Sequence, residues 1–209
     1  MVFNLNTIYS HSFPIEKIKP DKNEVLRYMG QRGEPSPEIT QLMDNISKNT
    51  LTKASPKGAF VIRQICVSNA DVKIGNKIFY SENLSKNLFG CSEAVIFVLS
   101  LGADSDRAIF SKKASSPLEA LAVSSLFTEV LEKYADEFVG ELKSIFEADG
   151  KHLRPRYSPG YGDFSIENQP YFISETDAAR RCGVSVTDSL LLTPSKSITG
   201  IIGIGDSNL

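Results

Sequence analysis

AVIFVLSLG, residues 94–102, is a run of apolar residues broken only by one serine and stopped by a glycine. A segment that apolar, with no alternation, suits a strand covered on both faces. Its neighbours agree with that reading. GAFVIRQICVS, residues 58–68, is rich in β-branched residues, and VKIGNKIFYS, residues 72–81, alternates on either side of Gly75-Asn76. Two short alternating runs joined through such a dipeptide predict a hairpin.

The period then changes. Ser116-Pro117-Leu118-Glu119 is a capping box with proline at the first helical position. Apolar residues recur at 123, 126, 127, 130, 131, 134, 138, 142, 145 and 146, and the pattern stops near Gly150. That spacing predicts one helix of about 30 residues, long enough to lie across a sheet. Two helices are expected upstream, over 21–32 opened by Asp21 and over 36–49 opened by Ser36-Pro37. Downstream, a weak helix is expected near Glu175 to Cys182, and residues 184–194 and 197–205 read as strands. The fold class that follows is α+β, a mainly antiparallel sheet with long helices packed on it, as a single domain over 1–209.

Composition narrows the function. With 41% hydrophobic residues in 209, the chain can build a core without a disulfide or metal staple. A net charge of −2 gives no general attraction to nucleic acid or to acidic membranes. No apolar run approaches the ~20 residues of a bilayer span, and the opening MVFNLNTIYSHSFP lacks the pattern of a signal peptide. A cytoplasmic protein is expected. Cys66, Cys91 and Cys182 are widely spaced and odd in number, which reads as three buried, reduced thiols.

The common enzyme motifs do not occur. Only His11 and His152 could serve a nucleophile, and no GxSxG elbow accompanies them. HxxxH, HExxH and DxDxDG spacings are missing as well. GIIGIG, residues 200–205, is followed by only four residues, so no helix N-terminus is there to meet a phosphate. A strand whose glycines admit close neighbours is the simpler reading.

KHLRPRYSPGYGDF, residues 151–164, remains. Its four basic side chains are too few for more than weak, salt-sensitive contact with nucleic acid. Two prolines fix φ and two glycines open conformations closed to other residues. Arg156 offers a planar fork to a carboxylate, and Tyr157 and Tyr161 offer aromatic faces. The segment is either a stiff connector or a clamp for a small ligand.

Arg156-Tyr157-Ser158-Pro159-Gly160-Tyr161-Gly162-Asp163 resembles the S-adenosylmethionine-binding signature of the activation domain of cobalamin-dependent methionine synthase. GVSVTDSLLLTPSKSITGIIGIG, residues 183–205, resembles the segment that follows it in that family. EVLRYMGQRG, residues 24–33, and PLEALAVSSLFTEVLEKYAD, residues 117–136, are similar to its opening and long helices. The resemblance implies that Arg156 holds the methionyl carboxylate of S-adenosylmethionine. It implies that Ser158, Gly160 and Tyr161 line the same site, and that Glu132 lies near the ligand. It also implies a cobalamin carried by a partner, methionine synthase or another corrinoid protein, and a flavodoxin-like electron donor. The chain departs from the family at Ile201 and Ile202, where an aromatic residue is usual, and at Ser124, where stand-alone relatives carry an acid. Those departures keep a second reading open, a non-catalytic partner of a corrinoid protein. An unrelated S-adenosylmethionine-dependent methyltransferase would need a glycine-rich strand-to-helix turn near the N-terminus, which the sequence lacks.

Overall fold

The computed structural model describes residues 3–206. Nine strands form: β1 (Ile8–Ser12), β2 (Lys57–Val67), β3 (Asp71–Ile74), β4 (Lys77–Tyr80), β5 (Cys91–Ser100), β6 (Lys151–Leu153), β7 (Ser185–Val186), β8 (Leu192–Thr193) and β9 (Ser197–Asp206). Seven of them make one sheet in the order β4-β3-β2-β5-β9-β6. β1 shares an edge of β2 with β3, pairing its first half while β3 pairs its end. Every ladder is antiparallel. The α-helices are α1 (Lys22–Tyr28), α2 (Pro37–Thr50), α3 (Glu82–Asn87), α4 (Ala103–Lys113), α5 (Pro117–Ala148), α6 (Gln169–Glu175) and α7 (Ala178–Arg181). The α+β expectation of an antiparallel sheet carrying long helices is met.

β5 shows why its sequence does not alternate. Val95, Phe97 and Leu99 point to one face and join Val25, Met43, Phe127 and Phe138 from α1, α2 and α5. Ala94, Ile96 and Val98 point to the other and join Val72, Phe79, Phe164 and Phe172. Both faces are covered, so both sets of positions must be apolar. α5 is 32 residues long, about 48 Å at 1.5 Å per residue. Its Ser116 cap accepts from Glu119 N–H, as the sequence predicts.

The glycines of β9 make room for buried neighbours. A Cβ on Gly200 would lie 2.5 and 2.7 Å from Cζ and Cε1 of Phe97, which has no exposed surface. One on Gly203 would lie 2.7 Å from Cys91 Sγ. Gly200→Ala therefore overpacks a rigid core and is expected to cost about 1–3 kcal/mol, read as a lower urea midpoint with an unchanged slope.

Several expectations need correction. α1 ends at Tyr28, short of the expected residue 32, because Gly30 takes φ 78° directly after its last turn. Residues 184–194 are not a continuous strand. They form the two short strands β7 and β8 around a turn, with Leu190 at φ 63° and Leu191 exposed. The weak helix expected near 175–182 is only the short α7; the separate helix α6, which was not expected, ends at Glu175, and Asp177 at φ 51° divides the two. Cys66 is exposed, whereas Cys91 and Cys182 are buried. Cys66 lies where β2 has outrun β5, which pairs only as far as Gln64. Burial pushes the Cys182 thiol up to about 11 and raises that of Cys91.

Candidate functional site

The site forms where the chain leaves the sheet after β6. Arg154 N–H donates to Gly203 C=O at 2.8 Å, and Tyr157 exchanges two backbone hydrogen bonds with Ile201 at 2.8 and 2.9 Å. No strand continues that pairing toward Ser197 among the described residues, so the first half of β9 is a sheet edge. Ser158, 9% exposed, tucks in beside it, and the chain then makes a tight turn. Gly160 N–H donates to Phe164 C=O at 2.7 Å and Phe164 N–H to Tyr161 C=O at 3.0 Å. Gly162 sits at φ 55°, and a Cβ there would lie 2.5 Å from Asn83 Nδ2 and 2.7 Å from Tyr157 Oη. Only glycine fits that position without strain or displacement.

Two anchors hold the turn. Phe164 is buried among Phe79, Tyr157 and Phe172, with ring centroids 5.6 to 6.2 Å apart. Asp163 accepts from Ser81 Oγ at 2.5 Å and from Glu82 N–H at 2.7 Å, at the start of α3. The Ser81 hydroxyl holds the Asp163 carboxyl below its usual range; desolvation opposes it, and the Glu82 and Asn83 amides add to the lowering. A carboxylate with a lowered folded value supports the folded loop above its unfolded value of about 4 and loses that contribution as pH falls below it. Protection of the loop amides at 160–164, relative to their intrinsic exchange at each pH, is therefore expected to fall as pH drops below about 4. Asp163→Asn should show fast exchange already at neutral pH, measured by hydrogen exchange.

Arg156 reaches the other way, to α5. Its Nη2 lies 2.5 Å from Glu132 Oε2 and 3.6 Å from Asp136 Oδ1. The two acids stand four residues apart, one turn of one helix face. Between this cluster and the turn lies a cavity of about 240 Å³, lined by Glu132, Arg156, Tyr157, Ser158, Tyr161 and Ile198. Of the residues singled out from the sequence, Glu132, Arg156, Ser158 and Tyr161 line it, and Gly160 forms the turn between Ser158 and Tyr161. The Tyr161 ring is 65% exposed, leaving a face open beside the cavity. The Tyr157 ring stacks on Phe164 and donates its hydroxyl to Tyr161 C=O at 3.2 Å, so it acts as wall and brace.

The sequence reading missed Asp136, Asp163 and Ile198. Asp136 carried a signal in its four-residue spacing from Glu132. Ile198 could have been placed by alternation along β9. Nothing local marked Asp163, whose partners lie about 80 residues earlier. The remaining basic residues of the segment disperse: Lys151 pairs with Glu93 at 2.6 Å, and Arg154 donates to Phe89 C=O at 2.7 Å. A larger depression of about 660 Å³ lies elsewhere, but its Arg63 is engaged by Glu175 and Asn6.

Whether Arg156 is open to a ligand depends on the strength of its ion pair. The Arg156 and Glu132 side chains are 27% and 34% exposed. A pair that wet is worth about 1 kcal/mol or less. A ligand carboxylate approaching the same fork can displace it.

No protein-family model matches this sequence, and no curated protein matches it. Among solved structures, the chain is similar over its full length to a crystal structure of the MetH reactivation domain bound to AdoHcy. The TM-score is 0.75 at 13% identity, over 100% of this chain and 81% of that one. The two share a fold.

Proposed function

We propose that this protein binds S-adenosylmethionine in the cavity beneath the Ser-Pro-Gly-Tyr-Gly turn and presents it to a corrinoid protein. It would thereby reactivate a cobalamin-dependent methyltransferase, methionine synthase or a similar enzyme, in the cytoplasm. The observation that carries the reading is the convergence of Arg156, Glu132, Ser158 and Tyr161 on one cavity. Support comes from a shared fold with a domain whose crystal structure was described with AdoHcy bound.

The donor set fits the ligand. Arg156 supplies a fork for the amino-acid carboxylate, and Glu132 and Asp136 supply negative charge for the neighbouring ammonium and sulfonium. Ser158 and Gly160 bring backbone groups to the rim, and Tyr161 offers its open face to the purine ring. Bound there, S-adenosylmethionine would supply an activated methyl group for reduced cobalt on the partner, after one-electron reduction by a flavodoxin-like donor. Such a transfer needs no general base and no protein nucleophile. What this chain contributes is orientation, which can supply about 7 kcal/mol or more.

The second reading is a module that docks on a corrinoid protein without using a ligand. It is favoured by the ion pairs already made by Arg156. Calorimetry separates the two. Saturable uptake of S-adenosylmethionine by the wild-type chain supports the first reading. Its absence, together with co-purification of a corrinoid protein, leaves the second.

A further inference from the structure

A second cation stands against the same face of α5. Lys196 immediately precedes β9, and its ammonium lies 3.0 Å from Ser124 Oγ and 2.9 Å from Thr128 Oγ1. Ser124, Thr128, Glu132 and Asp136 follow at four-residue intervals and form one line along α5. Lys196 and Ile198 are two apart and share a face of the extended chain, and Ile198 lines the cavity. Thr128 is one turn from Glu132, about 5.4 Å along the helix. Lys196 therefore stands along the same line of α5 as Arg156, beyond Ile198 and outside the residues that line the cavity.

The two cations differ in how they are balanced. Arg156 has two carboxylates within ion-pair distance. Lys196 has none among the described residues and meets only hydroxyls. Asp106 is the acid whose charge it feels, but both oxygens of that carboxylate accept from Ser195, at 2.8 Å from N–H and 2.5 Å from Oγ. A half-buried charge whose direct hydrogen-bond partners are neutral hydroxyls is poorly compensated. Desolvation holds the Lys196 ammonium below the usual lysine range, with Asp106 partly opposing.

The donors are not all used. Thr128 Oγ1 donates its own proton to Ser124 C=O at 3.0 Å, so toward Lys196 it only accepts. The Ser124 hydroxyl accepts from Lys196, and its proton has no acceptor among the described residues. One ammonium N–H and one hydroxyl O–H remain for an incoming acceptor.

We propose that Lys196 and Ser124 form an oxyanion subsite on this face of α5, beyond the Arg156 cavity, for a carboxylate or phosphate group of a small ligand. It goes beyond the reading above and does not depend on it. A ligand with one carboxylate can use either cation, and a ligand with an anion at each end spans both.

Inorganic phosphate is the probe. It is titrated into the ¹⁵N-labelled chain while the amides of residues 195–198 are followed by NMR, in the wild type, K196M, K196R and S124A. The expected result is a saturable shift confined to those amides, weakened about tenfold or more in K196M and largely restored in K196R. S124A replaces an accessible helical serine with the best helix former, so it folds, and it is expected to bind several-fold more weakly. The absence of a saturable wild-type shift, or equal affinity in S124A and in folded K196M, would overturn the proposal. Because phosphate is the ligand, these outcomes are separate from whether S-adenosylmethionine binds.

Discussion

Arg156→Ala is expected to weaken S-adenosylmethionine binding by on the order of 2 kcal/mol or more, about thirtyfold in Kd. The argument has two parts. The substitution removes the only guanidinium that lines the cavity among the described residues, and with it the charge-assisted bonds to a carboxylate. It also leaves Glu132 and Asp136 without the cation that now balances them. A ligand carboxylate then meets two like charges where it previously met a mixed cluster. Arg156→Lys keeps the charge but not the fork, and its loss should be intermediate. Calorimetry across the three proteins measures the series. Equal affinity in wild type and Arg156→Ala would place the ligand elsewhere. The fold should be insensitive to the change, since the ion pair is wet and worth little.

The largest effect on stability is expected at Phe138. Its side chain is 1% exposed, and its ring packs against His11, Phe60 and Phe97 at 5.1, 5.5 and 5.4 Å. One residue of α5 thus touches β1, β2 and β5 together. Phe138→Ala is expected to cost about 3–5 kcal/mol, because the sheet cannot collapse to fill the space. For a domain this size that is a fall of about 10 °C in Tm, read by calorimetric or circular-dichroism melting. Ligand affinity measured well below the new Tm should change little, since Phe138 faces the sheet while Glu132 lines the cavity. A large affinity loss in the folded variant would show that α5 moves as a unit when its core contacts are cut.

The elements written most plainly in the sequence are those whose signals are local. The capping box at Ser116, the apolar run at 94–102 and the Gly75-Asn76 turn all formed as read. β1, α3 and α4 were not anticipated, and each has a physical reason. β1 is a half-exposed edge strand with a weak alternation. α3 has six residues and depends on the Ser81 cap and Asp163 from far away. α4 buries only Ser105 and Ile109 and leaves Phe110 exposed, so its apolar stripe is too thin to see. The site divides the same way. Its loop was legible because proline, glycine and arginine concentrate in one stretch. Its far wall on α5 was not legible from periodicity, because Glu132 looks like any solvated helix charge until the fold sets it against Arg156.

The place of β9 in the sheet has a consequence for synthesis. It is the last of the nine strands along the chain yet lies between β5 and β6. Until it has been made, β5 presents a bare apolar edge and β6 has no partner. Such an edge is a template for pairing with other chains, and closing it requires contacts distant in sequence, which form slowly. The nascent chain is therefore most exposed to aggregation, and most in need of chaperone cover, during the interval between the emergence of β5 and that of β9. The same strand supplies Ile198 and the bridge to Tyr157. Closure of the candidate cavity and protection from aggregation thus arrive in one folding step.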